Sequence, residues 1–140
     1  MTQEHIQIPR KIINQLLHHA QISPDLEICG LIGAKNGLPC SCYPVKNIAE
    51  HPQLSFQLDA AQQISAMAKM REQDEQLFAI YHSHPSAPAT PSITDLELSS
   101  YPNALYLIIS LNTKGILEMR CFKIDHKSAQ EIALSLSDDE

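Results

Sequence analysis

Apolar residues recur along this chain with two different periods, and the period separates helices from strands. Ile12, Ile13, Leu16, Leu17 and Ala20 return at three- and four-residue intervals, which predicts an amphipathic helix over 9–21. Pro9 suits its first turn, where a missing N–H costs nothing. Ile6 and Ile8 ahead of it indicate a short extended start, and Ser23-Pro24-Asp25 ends the helix. Residues 27–34 then read as a strand whose Gly30 and Gly33 imply a bend or a close backbone approach. Gly37 marks a turn, and residues 40–48 return as a second strand. Residues 49–55 read as loop and 56–58 as extended chain.

Asp59, with Gln62 three residues on, opens a second helix. Ala60, Ile64, Met67, Ala68 and Arg71 carry it to about residue 73. The run Leu77-Phe78-Ala79-Ile80-Tyr81 is apolar on both faces, as in an interior strand covered on both sides. Pro85, Pro88 and Pro91 stiffen the next loop. Ser92 opens a short helix to about Ser100. Residues 105–111 form another doubly buried strand, 112–115 a hairpin connection, and 116–124 a strand with one wetter face. Ala129, Ile132, Ala133 and Leu136 predict a last helix. The sum is a mixed α/β fold: one mixed sheet flanked by helices, in a single domain over residues 1–140.

Composition narrows the possibilities. The chain has 140 residues and a formal charge of −6, with no basic cluster. That argues against nucleic acid, since phosphate binding needs concentrated Lys and Arg. Asp138-Asp139-Glu140 reads as a solvated tail. No apolar run approaches the roughly 18 residues of a membrane span. The first residues lack a basic region followed by an apolar stretch, so a cytoplasmic location is the expectation. Cys29, Cys40, Cys42 and Cys121 show no CxxC pair or zinc-ribbon spacing and are read as reduced, small apolar fillers, with Cys40 and Cys42 on one side of a strand. His18 and His19 are assigned to the surface. His5, His51 and His126 lie in loops or ends.

Chemistry concentrates in H-S-H-x7-S-x-x-D, formed by His82, Ser83, His84, Ser92 and Asp95. Side chains alternate across a strand, so His82 and His84 face one side and can share a metal ion. Asp95 arrives from the first turn of the following helix. Two histidines and an aspartate suit zinc, one ion per chain, with a fourth position left for water. Zinc lowers the pKa of such water to about 7 and polarises a carbonyl. Glu27, at the head of an otherwise apolar strand, is the candidate to take the water proton and pass it to a leaving amine. Ser92 is the candidate donor to an oxyanion. Each piece also has an ordinary reading: S-x-x-D is a capping box, H-x-H occurs on exposed strands, and Glu27 can be an edge carboxylate. The combination is what points to hydrolysis. No H-E-x-x-H, zinc-deaminase signature, G-x-S-x-G or P-loop is present.

With Glu27 included, the pattern E-xn-H-S-H-x7-S-x-x-D resembles that of the JAMM/MPN+ zinc metalloproteases, and no position is missing. Residues 27–33 also resemble the family's first catalytic strand, and the similarity spans nearly the whole chain. The resemblance implies a cytidine-deaminase-like fold, with zinc on His82, His84 and Asp95. It implies Glu27 as general acid/base, Ser92 as oxyanion stabiliser and Ser83 as support around the ligands. Few residues separate Asp95 from the next strand, near Tyr101. That leaves no room for the long insertion of the larger eukaryotic members, so the chain resembles the compact prokaryotic branch. The implied reaction is peptide or isopeptide hydrolysis after the Gly-Gly end of a ubiquitin-like sulfur carrier. A non-catalytic scaffold and a small-molecule zinc amidase are the alternatives.

Overall fold

The computed structural model describes residues 5–98, 104–111, 118–125 and 128–137. The hairpin expected at 112–115, His126 and the acidic tail lie outside them. The elements are β1 (His5–Pro9), α1 (Arg10–Ile22), β2 (Cys29–Lys35), β3 (Leu38–Val45), α2 (Ala60–Glu72), β4 (Gln76–His84), α3 (Ile93–Leu98), β5 (Leu105–Ser110), β6 (Glu118–Asp125) and β7 (Ser128–Ser137). The strands form one seven-stranded mixed sheet in the order β1-β7-β6-β5-β4-β2-β3. Two pairs are parallel, β1 with β7 and β4 with β5, and the others are antiparallel. The sheet curls enough to bring its edge strands β1 and β3 near each other. Among the described residues no helix is long and apolar enough to cross a membrane.

Strand parity divides the interior into two cores. On one face Ile8, Ile12, Leu16 and Ala20, from β1 and α1, pack with Ala79, Tyr81, Leu107, Ile109 and Ile132. On the other, Ala66 and Met70 of α2 pack with Leu31, Ile80, Tyr106, Ile108 and Phe122. Burying each large aliphatic side chain contributes roughly 1.5–3 kcal/mol. β4 therefore alternates faces: Ala79 and Tyr81 belong to the α1 side, Ile80 to the α2 side. His82 and His84 continue the parity of Ile80, and Ser83 that of Tyr81.

Local signals hold where they were specific. Asn36 and Gly37, both with positive φ, make the two-residue hairpin turn between β2 and β3. The Asp59 carboxylate accepts the Gln62 N–H as the α2 N-cap. Gly30 is needed for close approach, because a Cβ there would lie 2.5 Å from the Tyr43 carbonyl oxygen and the Tyr81 hydroxyl.

Four expectations are corrected. Residues 128–137 form strand β7, not a helix. Ala129 and Ala133 complete a helical period, but Ile132 and Leu134, two apart, are the residues that pack on the α1 core. Pairing with both β6 and β1 satisfies the backbone as strand. In α2, Ala66, Met67 and Met70 turn inward while Ile64 stays exposed. Cys40 is exposed rather than a filler, and it falls at a bulge: Gly33 pairs with Ser41 and Ala34 with Pro39, so Cys40 is skipped and does not share a side with Cys42 by simple alternation. All four cysteines are free. His19 is half-buried and its Nδ1 lies 2.8 Å from the Tyr81 hydroxyl, so it is not a plain surface residue.

Candidate metal centre

The site forms where the C-terminal end of β4 meets the start of β2. The two strands are antiparallel, with Cys29 opposite His82, so the residues just before β2 lie beside the end of β4. Glu27 stands two residues ahead of β2 and is 4 % exposed. The loop after β4 leads into α3, whose first turn carries Asp95. His82, His84, Asp95 and Glu27 are all buried, and one ligand-capable atom of each lies within 4.8 Å of the others.

Three atoms make a nearly equilateral triangle. His82 Nε2 is 3.1 Å from His84 Nε2 and 3.1 Å from Asp95 Oδ2, and His84 Nε2 is 3.2 Å from the same oxygen. Tetrahedral zinc with bonds near 2.0–2.1 Å requires ligand separations of about 3.3 Å, so the triangle fits with minimal adjustment. The proton inventory agrees. His84 Nδ1 is 2.8 Å from the Pro88 carbonyl oxygen. A carbonyl only accepts, so that nitrogen carries the hydrogen and the neutral ring presents a lone pair at Nε2. A cation satisfies all three corners together, whereas one proton bridges a single edge. Nearby, Glu27 Oε1 is buried with no hydrogen-bond partner among the described residues, which suits a carboxylate whose partner is a bound reactant.

The charges are set by burial and by these contacts. Burial would raise the Asp95 carboxyl, but the contacts with the His82 and His84 rings outweigh it and hold it well below the usual range. Burial lowers His82, and Asp95 only partly compensates. Burial acts less heavily on His84, and Asp95 and the Pro88 carbonyl reverse it, so that ring is raised. The two rings differ because burial weighs more on His82 and because His84 has an acceptor at Nδ1, whereas His82 Nδ1 is buried with no partner among the described residues. Burial pushes the Glu27 carboxyl up to about 7; His84 draws it down and Asp95 pushes it further up.

The two serines do different work. Ser92 and Asp95 form a reciprocal capping box at α3. The Ser92 N–H donates to Asp95 Oδ2 at 2.9 Å, and the Asp95 N–H donates to Ser92 Oγ at 3.0 Å. The capping reading is therefore realised, and it orients the very oxygen that meets both imidazoles. Ser83 points to the opposite face. Its Oγ accepts the Ile28 N–H at 2.9 Å and donates to the Leu26 carbonyl at 3.4 Å, bracketing Glu27 on both sides.

Three neighbours were not singled out in the sequence. Phe56 stacks on His82 with ring centroids 4.3 Å apart. Pro88 contributes a backbone carbonyl, which no side-chain pattern reveals. Asn47 bonds the Glu27 carbonyl at 2.9 Å. His51 is exposed, and its carbonyl accepts from Leu54 and Ser55 within its own loop.

Comparison with known proteins places the chain in a family. A family model described as prokaryotic homologs of the JAB domain matches residues 9–124. A CysO-cysteine peptidase of Mycobacterium tuberculosis is 31 % identical over 115 residues, covering 81 % of this chain and 78 % of that protein. A desampylase of Haloferax volcanii is 28 % identical over 116 residues, covering 79 % and 84 %. A solution structure from Desulfitobacterium hafniense superposes with a TM-score of 0.85 at 29 % identity, covering 95 % of this chain and 93 % of that one. A JAB1/MPN domain protein of Archaeoglobus fulgidus shares the fold, with a TM-score of 0.61 at 16 % identity and coverage of 94 % and 96 %. These likenesses converge on one conclusion: this chain belongs to the prokaryotic homologs of the JAB domain, and it is a hydrolase of the JAMM type.

Proposed function

We propose that the chain, acting as a single domain, is a zinc peptidase that hydrolyses the bond following the C-terminal Gly-Gly of a ubiquitin-like sulfur-carrier protein. The observation that carries this reading is the convergence of Glu27 on the triangle of His82, His84 and Asp95. The relatives named as a CysO-cysteine peptidase and a desampylase support a protein tail as substrate.

His82, His84 and Asp95 would hold the zinc. When bound, the ion supplies Lewis acidity, polarising the scissile carbonyl and making water a better acid. Glu27 accepts a proton from the attacking water and delivers it to the leaving amine as the C–N bond breaks. Burial favours its protonated form, which suits a group that must hold the proton between those two events. Ser92 Oγ accepts from Asp95 N–H, so its own O–H remains to donate toward an oxyanion. Ser83, behind the histidines, keeps the Glu27 segment against β4.

The test is a fusion of a small sulfur carrier ending in Gly-Gly to a short extension. Purified protein is expected to hold about one zinc per chain and to trim the fusion until a chelator removes the metal. Glu27→Gln should retain zinc and lose at least about a hundredfold in kcat, the size expected for a general acid/base. A Glu27→Gln enzyme as fast as the parent would refute the mechanism. Cleavage of acyl-amino acids but not of protein tails would replace the substrate by a small amide.

A further inference from the structure

Glu27 lies outside the sheet ladder, and its backbone is held by one loop. Its N–H donates to the Pro52 carbonyl at 2.8 Å. Its carbonyl accepts from Asn47 Nδ2 at 2.9 Å. The second Nδ2 hydrogen goes to the Ser55 carbonyl at 3.0 Å, while Asn47 Oδ1 accepts the Ala49 N–H at 2.9 Å and the Gln57 N–H at 3.0 Å. Two donors and two acceptor bonds use the whole capacity of a side-chain amide. Asn47 thus closes residues 47–57 into a fixed loop and fastens Glu27 to it. The same loop sends Phe56 onto the ring of His82. One segment therefore touches both the carboxylate's backbone and a corner of the triangle.

We infer that Asn47 is a positioning residue that sets the distance between the Glu27 carboxylate and the metal ligands, through the loop 47–57. This rests on Glu27 being the general acid/base. Asn47 bonds the Glu27 carbonyl directly and reaches His82 only at one remove, through the loop that carries Phe56, so its main effect runs through Glu27 and unchanged zinc stoichiometry checks the other route. A displacement near 1 Å at a reacting group costs on the order of a hundredfold in rate.

The experiment is a double-mutant cycle on zinc-loaded enzyme with the Gly-Gly fusion. Asn47→Ala should lower kcat by about 10–100-fold, leave KM within about threefold and keep zinc stoichiometry. In the Glu27→Gln background the same change should cost less than about threefold, because the group it positions is already gone. Amide exchange at Glu27 and across 49–57 should quicken in zinc-free Asn47→Ala, a readout independent of turnover. Should Asn47→Ala fail to fold, Asn47→Asp carries the test: it keeps an acceptor for Ala49 and Gln57 but turns an oxygen toward the Glu27 and Ser55 carbonyls. Equal losses in both backgrounds would overturn the inference, as would a parental kcat in the single variant while Glu27→Gln is slow. If Glu27→Gln itself is as fast as the parent, the acid/base reading falls and this inference falls with it.

Discussion

Replacing Ser83 by alanine tests how the fold delivers Glu27. Ser83 is 0 % exposed, and its hydroxyl accepts from the Ile28 N–H and donates to the Leu26 carbonyl. Alanine keeps the strand and removes little volume, but it leaves the buried Ile28 N–H without an acceptor. Such an orphan costs about 1–3 kcal/mol. The 3.4 Å bond to Leu26 is long and adds a few tenths at most. The expected loss is about 1.5–3 kcal/mol, and at roughly 4 °C per kcal/mol for a domain of this size the melting midpoint should fall by about 6–12 °C. The chain has no tryptophan, so guanidinium unfolding of the zinc-free protein is best followed by far-ultraviolet circular dichroism. Because Ser83 faces away from His82 and His84, zinc stoichiometry should be unchanged. A destabilisation below about 0.5 kcal/mol would refute the hydrogen-bond argument, and loss of zinc would refute the assignment of faces.

Two further outcomes follow from buried polar contacts. In zinc-free protein the Glu27 carboxyl is raised from 4.5 to about 7, so the folded state binds its proton more tightly than the unfolded state. That contribution is full below the unfolded value of 4.5 and is lost as pH rises through 7. Glutamine cannot ionise, so zinc-free Glu27→Gln should exceed the parent in stability by about 1–2 kcal/mol near pH 8, allowing for residual solvent screening, with the gain disappearing near pH 4; denaturant midpoints that differ equally at both ends would contradict it. At Gly33 a Cβ would collide with Glu75 Oε1, which accepts the Tyr43 hydroxyl at 2.8 Å, while Oε2 accepts that of Ser41 at the same distance. Gly33→Ala should therefore cost about 1–3 kcal/mol, and adding Glu75→Ala should make the glycine replacement less costly than in the parent.

The linear chain by itself pointed to the candidate ligands His82, His84 and Asp95, which the fold brings together, and to much of the element order. Strand alternation put His82 and His84 on one side, and S-x-x-D placed Asp95 at a helix start, because both rules act over a few residues. Those rules failed where two periods fitted the same letters. Residues 128–137 satisfied a helical spacing through Ala129 and Ala133, and only pairing between β6 and β1 made them strand. Tertiary structure alone decided what reaches the triangle from elsewhere. Glu27 was a candidate on composition, but its arrival depends on the antiparallel register of β2 with β4 and on Ser83. Asn47, Phe56 and the Pro88 carbonyl carry no local pattern, since an amide, a ring and a backbone oxygen gain meaning only from what lies against them. Local rules can assign each candidate ligand to an element and a face, whereas the separations of about 3 Å among His82, His84 and Asp95, and the approach of Glu27 to within 4.8 Å of them, depend on how distant segments pack.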